Sequence, residues 1–206
     1  MSLDAQRGRA ALTWSPDRLV KALAEPAQPT SDFDLNPGQT PPVASLRPAG
    51  VLIAFHEDDG RLVLTKRASG LRHHPGQIAL PGGKVDPIDT DETAAALREA
   101  HEEVGLPSAQ VEVLGLMPAH RTVTGFAITP VVAVIRGPFT PVAEPGEVEE
   151  VFTLPYDHVC DPTKYRVEGR IWRGVTRRYH VAPLGPYYLW GATARILLQL
   201  ASRIPE

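Results

Sequence analysis

The stretch Leu80-Pro81-Gly82-Gly83-Lys84, and after it Arg98-Glu99-Ala100-His101-Glu102-Glu103-Val104-Gly105-Leu106, decides how the rest of this chain is read. The glycine pair lets backbone approach a ligand closely, and Ala94, Ala95, Ala96 and Leu97 then favour helix. Asp89 and Glu92 make a D-x-x-E start able to cap the first turn reciprocally, and Gly105 stands where a glycine ends a helix. The spacing predicts a helix over 91–104. On it Glu99, Glu102 and Glu103 fall at i, i+3 and i+4, so their carboxylates converge on one side. Like charges at that spacing repel, and Glu102 and Glu103 sit in the last turn, where the helix dipole disfavours anions by about 0.3–1 kcal/mol. The Arg98–Glu102 pair returns a comparable amount. Helix stability alone does not select three acids there, whereas a hard divalent cation, Mg²⁺ or Mn²⁺, reverses the sign of the repulsion. A solvated acidic helix end is the competing reading, and the adjoining glycine turn weighs against it.

Working outward, Val51-Leu52-Ile53-Ala54-Phe55 and Leu62-Val63-Leu64-Thr65 flank the turn Glu57-Asp58-Asp59-Gly60, a hairpin pattern. Runs at Val111–Met117, Ile128–Ile135, Val148–Leu154 and Arg177–Val181 also read as strands. A second helix is expected from Gly191 to Arg203, with Ala194, Leu197, Leu198 and Ala201 on its buried face. Mixed strands and well-separated helices give an α/β or α+β sandwich. Near the start, Ser15 as N-cap and Pro16 at the first helical position open a short helix to Ala24. Seven of the 21 prolines precede residue 51, and the stretch 25–48 reads as an extended, stiff connector.

The length of 206 residues allows one domain with a sizeable core. With 24 acidic against 21 basic residues, a non-specific nucleic-acid surface is not expected. No apolar run approaches bilayer-spanning length, so no membrane partner is expected. The opening MSLDAQRGRAALTWSPDR has no apolar stretch of signal-peptide length, and the single cysteine, Cys160, offers no internal disulfide. A reducing, cytoplasmic setting is the expectation.

The glycine turn and glutamate helix together resemble the Nudix hydrolases, whose box runs G-x5-E-x7-R-E-U-x-E-E-x-G-U with U apolar. Its second half matches at every fixed position from Arg98 to Leu106. The first half departs. Six residues beyond Gly83 stands Asp89 instead of Glu, and the gap to Arg98 is one residue too long, as if one residue were inserted. Asp89, Asp91 and Glu92 compete for the early acidic role. The resemblance implies a Nudix-type α/β/α sandwich with a mixed β-sheet over 48–206, and residues 1–47 as an N-terminal helix and proline-rich connector packed on it.

A second constellation, Leu64-Thr65-Lys66-Arg67-Ala68 with Arg72, Gly76 and Leu80-Pro81-Gly82-Gly83, resembles the signature L-L-T-x-T-[SA]-x3-R-x3-G-x3-F-P-G-G. That signature marks the coenzyme A diphosphatase branch. Its spacing holds throughout, with Val63, Arg67 and Leu80 replacing Leu, Thr and Phe. Tyr188-Leu189-Trp190-Gly191-Ala192-Thr193-Ala194-Arg195 is similar to that branch as well. Lys66, Arg67, Arg72, His73 and His74 form a basic cluster suited to phosphate oxygens. His73-His74 lacks a third nitrogen or thiolate nearby and does not read as a metal site.

The resemblance implies metal-dependent hydrolysis of the diphosphate of coenzyme A to 3′,5′-ADP and 4′-phosphopantetheine. Glu99, Glu102 and Glu103 would hold Mg²⁺ or Mn²⁺, and Arg67, Arg72, Gly82 and Gly83 would bind substrate. Arg98 is expected to pair with the glutamates and fix their rotamers. A general base comes from the box or from Glu144, Glu147, Glu149 and Glu150. Strand alternation places Glu147 and Glu149 on one face, making Glu147 the candidate. Two alternatives stand beside this reading. One is a Nudix hydrolase of another nucleoside diphosphate derivative such as ADP-ribose, the other a catalytically silent nucleotide-binding Nudix module.

Overall fold

In the computed structural model, which describes residues 12–38, 45–172 and 174–205, alternate side chains of the strand Arg47–His56 go to opposite faces. Leu52 and Ala54 cluster with Ala96, Ala100 and Val104 of the helix Glu92–Val104. Ile53 and Phe55 cluster instead with Leu19 and Ala22 of one further helix and Ile196 and Leu197 of another. The strand is therefore apolar without interruption because helices cover it on both sides. This is an α/β/α sandwich.

In chain order the elements are α1 (Pro16–Ala24), β1 (Thr30–Ser31), β2 (Arg47–His56), β3 (Arg61–Arg67), β4 (Ile78–Ala79) and β5 (Gly82–Lys84). There follow α2 (Glu92–Val104), β6 (Val111–Leu116), β7 (His120–Arg121), β8 (Phe126–Ile135), β9 (Val148–Pro155) and α3 (Tyr156–Val159). The chain ends with β10 (Arg166–Trp172), β11 (Val175–Leu184), β12 (Tyr187–Trp190) and α4 (Gly191–Ala201). The larger sheet runs β1-β7-β8-β2-β3-β4, with β5 on β2, β6 on β8 and β9 on β3. It is mixed, since β2–β8 and β1–β7 are parallel and the other pairs antiparallel. Strands β10, β11 and β12 form a separate antiparallel sheet.

The expected hairpin is present, but β2 and β3 pair at Phe55↔Leu62 beside the turn and then diverge. Beyond the divergence β5 lies along β2, with Gly50↔Gly83 and Val51↔Gly82 in register. The glycine pair is thus held between sheet and α2.

The connector differs from a plain extended tether. Thr30–Ser31 adds a parallel pair to β7, and Asn36 clamps β11 by accepting from the Arg178 N–H and donating to its carbonyl, both at 2.8 Å. Residues 39–44 of the expected connector lie outside the described residues. Local pattern could not show this pairing, because its partners are about 90 and 140 residues away. Among the described residues, no helix is long and apolar enough to cross a membrane.

Candidate active site

Helix α2 carries the site and is fixed at both ends. Its N-cap is Asp91, whose Oδ1 accepts from the Ala94 N–H at 2.8 Å. The expected Asp89–Glu92 cap is therefore corrected. Asp89 sits before the cap, receives the Asp86 N–H at 2.8 Å, and turns its carboxylate to Arg98. At the C-terminus, the N–H groups of Gly105 and Leu106 return to the carbonyls of His101 and Ala100. The carbonyls of Val104 and Glu103 are taken by the N–H groups of Val142 and Glu144, at 2.9 and 3.0 Å. The loop before β9 is thereby fastened to the helix end.

One carboxylate oxygen each from Glu99, Glu103 and Glu147 lies within 4.8 Å of the others. Glu103 is buried, Glu99 half-buried and Glu147 exposed. Burial pushes the Glu103 carboxyl up to about 7, against the pull of its hydrogen bond from Gly82. That bond is 3.1 Å, Gly82 N–H to Oε2. Glu99 is raised as well, by burial first, with Arg98 opposing. A β-carbon on Gly83 would stand 2.3 Å from Oε1 of Glu99, so only glycine leaves room for that carboxylate. Three hard oxygen donors that each disfavour the others' charge fit a divalent cation.

Glu102, expected in the same set, lies to the side. Its side chain is 57% exposed and accepts from Arg98 Nη1 at 2.9 Å. Successive helix positions turn by about 100°. Glu102 therefore falls on the other flank of Glu99 from Glu103, within the i, i+4 reach of Arg98. Arg98 is the common partner. It bonds Glu99 through Nη1 at 3.0 Å, Glu102 through the same nitrogen, and both oxygens of Asp89. It touches only acids and the Lys84 carbonyl among the described groups, which is a positioning role.

Glu147 reaches the cluster by a different path from the expected one. It precedes β9 instead of lying in it, in a turn where its N–H meets the Glu144 carbonyl. A bulge shifts the β3–β9 register, with Lys66 opposite Glu150 and Arg67 opposite Val148. The extra residue, Glu149, breaks the alternation that would put it beside Glu147, and it pairs with Lys66 Nζ at 2.6 Å.

Of the basic candidates, Arg67 ends β3 near enough to Glu103 to lower its pKa. Arg72 is exposed in the loop 68–77, outside the carboxylate cluster. That loop is closed at its base by Arg67, whose carbonyl and N–H bond Gly76 and Gln77, and the Ala68 N–H meets the Glu147 carbonyl at 2.9 Å. It therefore starts at the metal-ligand candidates. The role of Asp89 was missed from sequence, although Arg98 nine residues on, unpaired at i−4, was a usable signal.

The chain and its fold have known counterparts. Residues 46–172 match the NUDIX domain model. A Nudix hydrolase, NudL, of Enterobacter sp. (strain 638), described as uncharacterized, is 42% identical over 171 residues, which is 82% of this chain and 89% of that protein. NudL of Salmonella typhimurium is 41% identical over the same length, with the same coverage of each chain. The crystal structure of a MutT/nudix family protein from Enterococcus faecalis superposes with a TM-score of 0.50 at 17% identity. It covers 81% of this chain and 64% of that one, and shows the fold alone. The chain belongs to the Nudix hydrolase family, enzymes that cleave phosphoanhydride bonds.

Proposed function

We propose that the protein is a coenzyme A diphosphatase, cleaving the diphosphate of coenzyme A and its derivatives to 3′,5′-ADP and 4′-phosphopantetheine. The observation that carries the hydrolytic part is the convergence of Glu99, Glu103 and Glu147 beside the Gly82–Gly83 strand. What supports the substrate is the Thr65-to-Gly83 run, whose spacing is that of the coenzyme A branch.

Glu99 and Glu103 would hold Mg²⁺ or Mn²⁺ with Glu147. When bound, the cation neutralises phosphate oxygens and lowers the pKa of a coordinated water. The chain's own groups do the rest. Gly82 N–H fixes the Glu103 carboxylate, and Arg98, held by Asp89, fixes Glu99 and keeps Glu102 in its orbit. Glu147 is the exposed member, carried on a separate loop, and takes the proton of the attacking water. Arg67 and Arg72, at the base and in the body of the loop 68–77, receive the diphosphate oxygens.

Incubation of the purified protein with Mn²⁺ and separately with coenzyme A or ADP-ribose, with products identified by mass, tests this reading. Release of 3′,5′-ADP and 4′-phosphopantetheine is expected. Turnover of ADP-ribose with none of coenzyme A overturns the substrate. No turnover of any diphosphate, with nucleotide binding intact, favours a silent binding module.

A further inference from the structure

A pocket of about 130 Å³, separate from the carboxylate cluster, opens on one side to solvent. Its walls come from four parts of the chain: the connector residues 31–36, Val123 between β7 and β8, strand β11, and the junction of β12 with α4. Two features set its chemistry. Phe33, Tyr179 and Trp190 supply aromatic surface, with Tyr179 and Trp190 packed edge to face at a centroid separation of 5.7 Å. Arg178 and Arg195 supply positive charge.

That charge is poorly neutralised. The Nε of Arg195 is buried with no hydrogen-bond partner among the described residues, and its Nη2 meets Asp34 at the limiting distance of 3.5 Å. Arg178 bonds Asn36 through its backbone, leaving the side chain exposed. The pocket's own acid, Asp32, is already committed, one oxygen to His120 at 3.1 Å and the other to the Val123 N–H at 2.9 Å. His180, also in the wall, is pushed below its ordinary pKa, by burial first and then by Arg195. No side chain caps the start of α4 at Trp190, so the positive end of the helix dipole adds to the same wall.

The pocket also adjoins the loop that leads to the reaction site. A β-carbon on Gly191, in its wall, would lie 4.0 Å from Nε2 of Gln77, where the loop 68–77 ends. Asp32 in the pocket and Arg67 beside Glu103 both act on the charge of His74 within that loop.

We propose that this pocket binds a phosphorylated nucleoside, its phosphomonoester against Arg178 and Arg195 and its base on Phe33, Tyr179 and Trp190. This rests on the coenzyme A reading for its place in the reaction, since it puts the 3′-phosphoadenosine half of the substrate here and the diphosphate at the carboxylates. The connector 30–38 is then a specificity element.

The test is calorimetric titration with adenosine 3′,5′-bisphosphate in EDTA, where no turnover intervenes. Binding to the wild-type protein is expected, weakened about tenfold or more by Arg178→Ala and by Arg195→Gln, since a hydrogen bond to a charged group is lost in each. Arg178→Ala alters an exposed side chain and guards against an unfolded Arg195 variant. Glu103→Gln is expected not to weaken binding. Unchanged affinity in both arginine variants, or no binding at all, overturns the proposal. So does a loss confined to Glu103→Gln, which would put the ligand at the carboxylates. Binding that responds to the arginines without hydrolysis of coenzyme A sinks the substrate reading and leaves the pocket. Hydrolysis of coenzyme A with kcat/KM indifferent to both arginines does the reverse.

Discussion

Arg98 grips Asp89 through two parallel hydrogen bonds, Nε to Oδ1 and Nη2 to Oδ2, each 3.0 Å long. The Asp89 side chain is almost wholly covered. Its carboxyl is held below the usual range by Arg98. The pair determines where the guanidinium stands, and the guanidinium determines where Glu99 stands. Asp89→Asn keeps the shape and removes the charge. Activity is expected to fall about 10- to 100-fold, the usual cost of losing a residue that orients a metal ligand. The Mn²⁺ dependence of the rate should move to higher concentration. An unaltered Mn²⁺ profile would show that Asp89 does not act through Glu99.

Glu103→Gln should leave the fold intact and remove most turnover. A bound cation contributes several kcal/mol to phosphoryl chemistry, so a loss of more than about a hundredfold in kcat is expected. The glutamine oxygen can still accept from Gly82. Circular dichroism and melting temperature report the fold, and unchanged kcat would remove Glu103 from the site.

The raised pKa of Glu103 has a thermodynamic sign. In metal-free protein the native state keeps the proton to about pH 7, while the unfolded chain releases it near the ordinary value of 4.5. The native state therefore binds more protons between those values, and this group's contribution to stability declines as pH rises through them. The full effect is on the order of 3 kcal/mol. Histidines 74, 158 and 180 have lowered pKa values and act in the opposite sense. The difference in melting temperature between Glu103→Gln and wild type isolates Glu103. In EDTA it should grow from pH 5 to pH 7.5. A difference independent of pH contradicts the burial argument. Added Mg²⁺ should raise the wild-type melting temperature more at pH 7.5 than at pH 5.

Gly83→Ala places a methyl group where the Glu99 carboxylate lies. The side chain can swing away at little cost to the fold, and the metal site loses a ligand. Weaker Mn²⁺ binding by about tenfold or more, with little change in melting temperature, is expected from a titration of the bound ion. Equal Mn²⁺ affinity in the two proteins would mean that Glu99 is not a ligand.

How much of this was legible beforehand follows from sequence distance. The helix 92–104 and the spacing of Glu99, Glu102 and Glu103 on it are local, and only together with the adjoining glycine turn does that spacing favour a cation over a solvated helix end. The residues by themselves point to an α/β or α+β sandwich, and the α/β/α arrangement came with the resemblance to the Nudix hydrolases, because which helices cover β2 and β8 depends on distant contacts. Glu102 was expected with Glu99 and Glu103, and the spacing could not show that Arg98 would claim its carboxylate. Glu147 entered by alternation, which a bulge at Glu149 then broke, so the residue named was in the cluster for a different reason. Asn36 and Arg178 could not be linked at all from sequence. Their bond depends on how the small sheet docks, which no local pattern encodes.

The carbonyls of Glu103 and Val104 are held by the backbone of the loop that carries Glu147, so the three acids sit on one caliper whose jaws are set by main-chain hydrogen bonds. Those bonds use no side chain, so substitutions elsewhere do not enter them directly. The separation of the helix end from the Glu147 loop is therefore a property of the main chain, whereas what the loop 68–77 and the connector present to a substrate is a matter of their side chains.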